Sequence, residues 1–307
     1  MPIAIISHAD CRKHHMGEFH PERPERLDAI QNQLISSGMD FVIRHFDAQL
    51  ADKAHLLRVH DRDYVEDLFT RAPEDGVVAL DPDTLMMPHT LNAALRSAGA
   101  AIQAVDLLMD GEFKSVFCMT RPPGHHAEKH RCMGFCFFNN VAAAAAYAME
   151  RHGLERVAIV DFDVHHGNGT EDIFRDDERV MFCSSFQHPF YPDTPFSTDR
   201  PNILNLPLPA GTAGAEYRQQ VESEWLPKLD AFKPQMMFIS AGFDGHAEEE
   251  MAHFRLREAD YAWITTELRQ IALKHAEGRI VSVLEGGYAL SALGRSVIAH
   301  LKALLGN

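Results

Sequence analysis

An α/β fold with a mostly parallel central sheet, helices on both faces and long loops at the strand C-terminal ends is what this 307-residue chain predicts. Short apolar runs, often β-branched, alternate with longer helical patterns. Polar clusters follow several of those runs, where open α/β sheets hold their ligands. No repeat, low-complexity tract or Gly/Ser linker divides the sequence, so residues 1–307 read as a single domain.

Ile3 to Ser7 is a continuous apolar run of strand length, the mark of a strand buried on both faces. A helical pattern from Pro88 to Met109 leads to the next such run, Ser115 to Met119. Asn139-Asn140 offers a cap to an alanine-rich helix, Val141 to His152, and the strand Val157 to Asp161 follows. Val180 to Cys183 is read as a strand and Ala213 to Lys228 as a helix. Met236 to Ser240, the helix Glu258 to His275, and Ile280 to Leu284 complete the alternation. Loops 10–26, 120–140, 184–214 and 242–256 are rich in Pro, Gly and His, and loops of such length in compact domains usually carry function.

Composition narrows the class of protein. A net charge of −15 excludes the basic stripe that nucleic acid requires. No apolar run approaches membrane-spanning length, and the N-terminus lacks the pattern of a secretory signal. Five cysteines without regular spacing suit a reducing compartment, so the cytoplasm is expected. Cys132 and Cys136 have no second pair, which makes them wall or core residues rather than metal ligands. His8, His45, His55, His60, His89, His152, His275 and His300 have no carboxylate at useful spacing and are expected in surface or packing roles. His14, His15 and His20 belong to an early loop at the rim.

The chemistry concentrates after the strands. In Asp161-x-Asp163-x-His165, alternate side chains share a face as the strand runs out. With Asp244 from another strand end, Asp163 and His165 make a set of two carboxylates and one imidazole. Such a set suits zinc, iron(II) or manganese and leaves a coordination position open. Two carboxylates neutralise the cation and weaken it as a Lewis acid, so a base and an oxyanion donor are needed. Asp161, Asn168, His125, His126 and Tyr288 are the candidates. Tyr288 follows Gly286-Gly287, a permissive loop from which a phenol can aim at a carbonyl.

Five motifs make the sequence recognisable: Arg121-Pro-Pro-Gly-His125-His126-Ala-Glu, Met133-Gly-Phe-Cys-Phe-Phe-Asn-Asn140, Asp161-Phe-Asp-Val-His-His-Gly-Asn-Gly-Thr170, Ser240-Ala-Gly-Phe-Asp244 and Glu285-Gly-Gly-Tyr288. In this order they resemble the zinc-dependent histone deacetylase family, in its class II branch and the microbial amidohydrolase relatives. His20-Pro-Glu-Arg-Pro-Glu-Arg-Leu27 fits as well. The resemblance implies an arginase-deacetylase fold and hydrolysis of acetylated amines. It implies Asp163, His165 and Asp244 as zinc ligands, His126 as general base, His125 as its electrostatic partner beside Asp161, and Asn168 in support of His126. Tyr288 would donate to the oxyanion, and Gly134, Phe135 and Tyr191 would line the substrate tunnel. A structural potassium ion would draw on Asp161, Ser184 and the carbonyls of Asp163 and His165.

Two segments depart from the family. Gly245-His-Ala-Glu248-Glu249-Glu250-Met251 stands where Asp-Pro-Leu-Gly is usual, and Pro189-Phe-Tyr-Pro-Asp193 lacks the usual Gly-Thr-Gly. Glu248 to Glu250 are either an acidic rim that attracts a second positive charge on the substrate or a solvated turn. Other functions fit less well. An arginase-like reaction needs further bridging aspartates, a serine hydrolase needs a Gly-x-Ser-x-Gly elbow, and a non-catalytic acyl-binding relative has no need of Tyr288 with both histidines.

Overall fold

The computed structural model describes residues 3–306. One eight-stranded sheet, parallel throughout, is formed by β1 (Ile3–Ser7), β2 (Ile43–Asp47), β5 (Ser115–Cys118), β6 (Val157–Asp161), β7 (Val180–Gln187), β8 (Ile203–Leu208), β9 (Met236–Ala241) and β10 (Ile280–Leu284). The strand order is β2-β1-β5-β10-β9-β6-β7-β8, and β3 (Val78–Ala79) with β4 (Leu85–Met86) makes a separate antiparallel pair. The helices are α1 (Glu25–Ser36), α2 (Lys53–Leu56), α3 (Arg62–Arg71), α4 (Thr90–Met109), α5 (Asn140–His152), α6 (Asn168–Phe174), α7 (Gly214–Glu224), α8 (Leu226–Phe232), α9 (Glu258–His275) and α10 (Leu290–Leu305).

Period-two alternation divides the strands between two cores. Ile3, Ile5, Ala158, Val160, Met237 and Ile239 face α1, α7, α8, α9 and α10. Ala4, Ile6, Val157, Ile159, Met236 and Phe238 face the layer built by α3, α4 and α5. Asn139 caps α5 as expected, its side-chain oxygen accepting the Ala142 N–H at 3.0 Å. No helix among the described residues is long and apolar enough to cross a membrane.

The structure corrects several expectations. Val180 to Cys183 continues to Gln187, and the edge strands β2 and β8 add to the sheet. The helix expected from Ala213 to Lys228 breaks at Trp225, because Pro227 cannot donate the hydrogen bond that would continue it. His8, His45, His55, His152 and His275 do have carboxylate partners, Asp10, Asp40, Asp52, Asp106 and Asp230.

Two buried histidines make stability pH-dependent. His300 lies among Phe117, Phe162 and Phe243 and between the Thr265 and Ser282 hydroxyls, at 2.6 and 2.8 Å. His60 reaches the Glu128 carbonyl and accepts the Asn139 N–H, both at 2.9 Å. Burial pushes His60 down to about 4 and His300 down to about 3. The unfolded chain therefore binds these protons first. Stability is full above about 6.5 and falls by on the order of 1.4 kcal/mol per histidine per pH unit below it, until each folded value is reached. Urea midpoints at pH 7.5 and 5 should show this decline, and a His300→Asn variant should show a shallower one.

Candidate active site

The four adjacent central strands β5, β10, β9 and β6 deliver the site from their C-terminal ends. His125 and His126 follow β5, Glu285 to Tyr288 follow β10, Asp244 follows β9, Asp161 ends β6, and Asp163 and His165 follow it. The residues expected to act together are brought together.

Asp163, His165 and Asp244 are buried with their ligand atoms within 4.8 Å of one another. His165 Nδ1 lies 3.0 Å from Asp163 and 3.2 Å from Asp244. Each carboxylate is already anchored. Asp163 Oδ2 accepts the Gly286 N–H at 2.9 Å, and Asp244 Oδ1 accepts the Val164 N–H at 2.9 Å. Asp244 Oδ2 is buried without a hydrogen-bond partner, an expensive state that a bound cation relieves. Burial pushes the Asp244 carboxyl up to about 6. Against its own burial, His165 is held up to about 10 by Asp163 and Asp244. A site that grips a proton this firmly has the charge for a divalent cation, and the donor set fits one. The cradle needs glycine. A Cβ at Gly286 would stand 2.0 Å from Asp244 Oδ2 and 2.6 Å from Asp163 Oδ2. Gly286→Ala is therefore expected to cost about 10–100-fold in metal affinity, read by chelator competition, with the fold retained.

The histidine pair is differentiated by its neighbours. His125 Nδ1 meets Asp161 Oδ2 at 2.9 Å, and its Nε2 lies 3.8 Å from Asp163. Burial opposes charge on His125, but Asp161 and Asp163 outweigh it and raise its pKa well above the usual value. His126 goes the other way, lowered by burial and by His125 and His165. Its Nδ1 meets Asn168 Oδ1 at 2.7 Å, while Asn168 donates its amide to Glu128 at 2.7 Å. That chain fixes the Asn168 orientation, puts the His126 proton on Nδ1, and leaves the Nε2 lone pair free.

A cavity of about 180 Å³ opens beside these groups, walled by Gly134, Phe135, Phe190, Tyr191, Met251 and Tyr288. Gly134, Phe135 and Tyr191, expected to line a tunnel, are among the residues of its wall. Gly134 has φ +56°, and a Cβ there would stand 2.4 Å from the His126 ring. Phe190, which no motif singles out, stacks on His165 with centroids 5.5 Å apart. A larger open cleft of about 690 Å³ near Arg58, Lys129 and Arg179 contains none of the candidate residues. Asp161 and Ser184 face one another in the β6–β7 register, and Asp161 Oδ1 accepts the Asp163 N–H at 3.1 Å.

Several residues with no role expected from the sequence support the site. Glu285, buried and raised to about 7 by desolvation, accepts the Gly124 and His125 N–H groups at 2.7 and 3.2 Å and the Ser240 hydroxyl at 3.0 Å. Asp83 and Thr84 accept the Gly134 and Phe135 N–H groups at 3.2 and 3.1 Å. Arg26 donates to the Glu285 and Gly287 carbonyls and lies 4.9 Å from the Tyr288 ring centre. The acidic segment is mostly engaged. Glu248 pairs with Arg295, and Glu249 accepts the Tyr288 and Ala289 N–H groups, leaving Glu250 exposed.

The sequence model described as Histone deacetylase domain matches residues 20–304. A probable deacetylase of Archaeoglobus fulgidus is 36% identical over 94% of this chain and 82% of its own. A histone deacetylase-like amidohydrolase of Pseudomonas aeruginosa is 37% identical over 88% of this chain and 73% of its own. The crystal structure of the HDA15 HD domain superposes with a TM-score of 0.94 at 32% identity, covering 100% of this chain and 88% of that one.

Proposed function

The chain belongs to the histone deacetylase family, and on that premise we propose that it hydrolyses the acetyl amide of an acetylated amine to acetate and the free amine. The convergence of Asp163, His165, Asp244, His126 and Tyr288 on one narrow cavity supports this reading. Asp163, Asp244 and His165 would hold a divalent cation, which we take to be zinc and which would supply Lewis acidity for the acetyl carbonyl and the attacking water. His126, neutral with its Nε2 lone pair free, accepts the water proton and returns it to the departing amine. His125, kept cationic by Asp161 and Asp163, offsets the charge that builds on the carbonyl oxygen. Tyr288 donates its hydroxyl to that oxygen. We assign the surroundings of Asp161, Ser184 and the Asp163 and His165 carbonyls to a structural potassium ion.

A cavity this narrow takes a linear alkyl chain, and Asp83 in its wall with Glu250 exposed near Met251 favours a cationic substrate. Acetyl-lysine in a protein or peptide is the substrate class we assign, with no role for nucleic acid or membrane. The five free cysteines suit a reducing compartment, and we place the enzyme in the cytoplasm. The test is kcat/KM of zinc-loaded protein on an acetyl-lysine peptide and on N-acetylated polyamines, each with a chelated control. Peptide preference supports the assignment, and polyamine preference redirects it to small acetylamides. Inactivity on both returns the non-catalytic acyl-binding reading.

A further inference from the structure

Glu249 occupies a place that neither an acidic substrate-steering rim nor a solvated turn requires. Its Oε2 accepts the backbone N–H groups of Tyr288 and Ala289 at 2.8 and 3.0 Å. Its Oε1 turns back to the N–H groups of Glu250 and Met251 at 3.1 and 3.4 Å. One half-buried carboxylate thus takes donors from two loops, and both loops send a side chain into the tunnel wall, Met251 and Tyr288.

Up to Gly287 the Tyr288 loop is held by Asp163 at the Gly286 N–H, by Phe243 at the Gly286 carbonyl and by Arg26 at the Glu285 and Gly287 carbonyls, and at Tyr288 and Ala289 it is held by Glu249. Gly286 and Gly287 precede Tyr288, Gly287 at φ +118°, a conformation with no side chain to lock it. Ala289, at the N-cap of the sixteen-residue helix α10, has no side-chain acceptor for the helix's unpaired N–H groups. Glu249 accepts the N–H of the N-cap residue itself, and its charge is favourable at a helix N-terminus. The Tyr288 ring is fixed by Arg26 over its face and Phe135 at its edge. The N–H groups of Tyr288 and Ala289 are fixed by Glu249.

Building on the deacetylase reading, we propose that Glu249 is a positioning residue that holds the Tyr288 hydroxyl on the reacting carbonyl and couples that position to the Met251 side of the tunnel mouth. An oxyanion donor displaced by about 1 Å loses most of its effect on the transition state and little of the ground-state affinity.

The test compares Glu249→Ala, Glu249→Gln and Glu249→Asp in the zinc-loaded protein and in a Tyr288→Phe background. The Ala and Gln variants should lose about 10–100-fold in kcat with KM within about threefold of the parent. Glu249→Asp, charged but one methylene shorter, should recover part of the loss. In the Tyr288→Phe background the Ala substitution should cost nothing further in kcat, the non-additivity expected of two residues acting as one unit. Independently of any substrate, Glu249→Ala should remove amide-exchange protection at Tyr288 and Ala289. A kcat within twofold of the parent in the Ala and Gln variants, or an equal loss with and without the Tyr288 hydroxyl, overturns the inference. So does unchanged amide protection. A parent protein inactive on every acetyl amide overturns the deacetylase reading instead, and the exchange result still reports on the Glu249 contact. The near-isosteric Gln variant decides the matter if the Ala variant does not fold.

Discussion

Tyr288→Phe lowers kcat by about 10²–10³-fold and leaves metal content and KM near those of the parent. The substitution removes one oxygen and little else. The ring stays, because Arg26 lies 4.9 Å from its centre and Phe135 meets it edge-on at 6.0 Å. Burial raises the Tyr288 pKa well above the usual phenol value, so the hydroxyl remains a donor across the working pH range. None of the metal-site contacts runs through that hydroxyl, because Asp163 is held by the Gly286 N–H and Asp244 by the Val164 N–H. Steady-state kinetics with metal analysis on the same sample decide the matter. An undiminished kcat would remove Tyr288 from the mechanism, and a loss of metal would make it part of the cradle.

Glu22→Ala has the largest expected effect on stability, about 3–5 kcal/mol. Glu22, Arg26, Arg121 and His14 are all fully buried. Glu22 accepts both arms of the Arg121 guanidinium at 2.5 Å, and Arg26 donates to it at 3.1 Å. Against the effect of its burial, Arg121, and after it His14 and Arg26, hold the Glu22 carboxyl well below the usual carboxylate range. Truncation leaves two guanidinium charges buried with only backbone carbonyls to meet them. The melting temperature should fall by about 5–8 °C. Activity should fall too, because Arg26 grips the carbonyls of Glu285 and Gly287 beside Tyr288. A urea midpoint equal to the parent's would show that the cluster adds nothing net. Glu22→Gln, which keeps the acceptor oxygen and loses the charge, should lie between.

The strands legible in the sequence are those buried on both faces, since an uninterrupted apolar run has few other readings. β2 is an edge strand with Arg44, His45 and Asp47 outside its buried face, and β8 contains Pro207, so neither shows that run. The site followed the same rule. Asp161, Asp163 and His165 lie on one strand end, and motif order brought in His125, His126, Asp244 and Tyr288. Carboxylates that act by accepting distant backbone N–H groups stayed hidden. Glu285 reaches Gly124 across 161 residues, and Glu249 reaches Tyr288 across 39. In sequence such a glutamate looks like any surface acid, because its partner is a peptide group that every residue carries.

The position of β10 has a consequence for biosynthesis. Of the eight strands it comes last in the chain, yet it lies between β5 and β9 at the middle of the sheet. A ribosome-bound chain that has released β1 to β9 already contains Asp163, His165 and Asp244. It has two unpaired central edges where β10 belongs and lacks Gly286 to anchor Asp163. Until β10 is inserted, those edges are open to pairing with other chains. Arg26 waits likewise for Gly287, 261 residues downstream. Closing such distant contacts is slow, so the arrival of β10 in the sheet, rather than emergence of Asp163, His165 and Asp244, sets the moment at which the site is assembled.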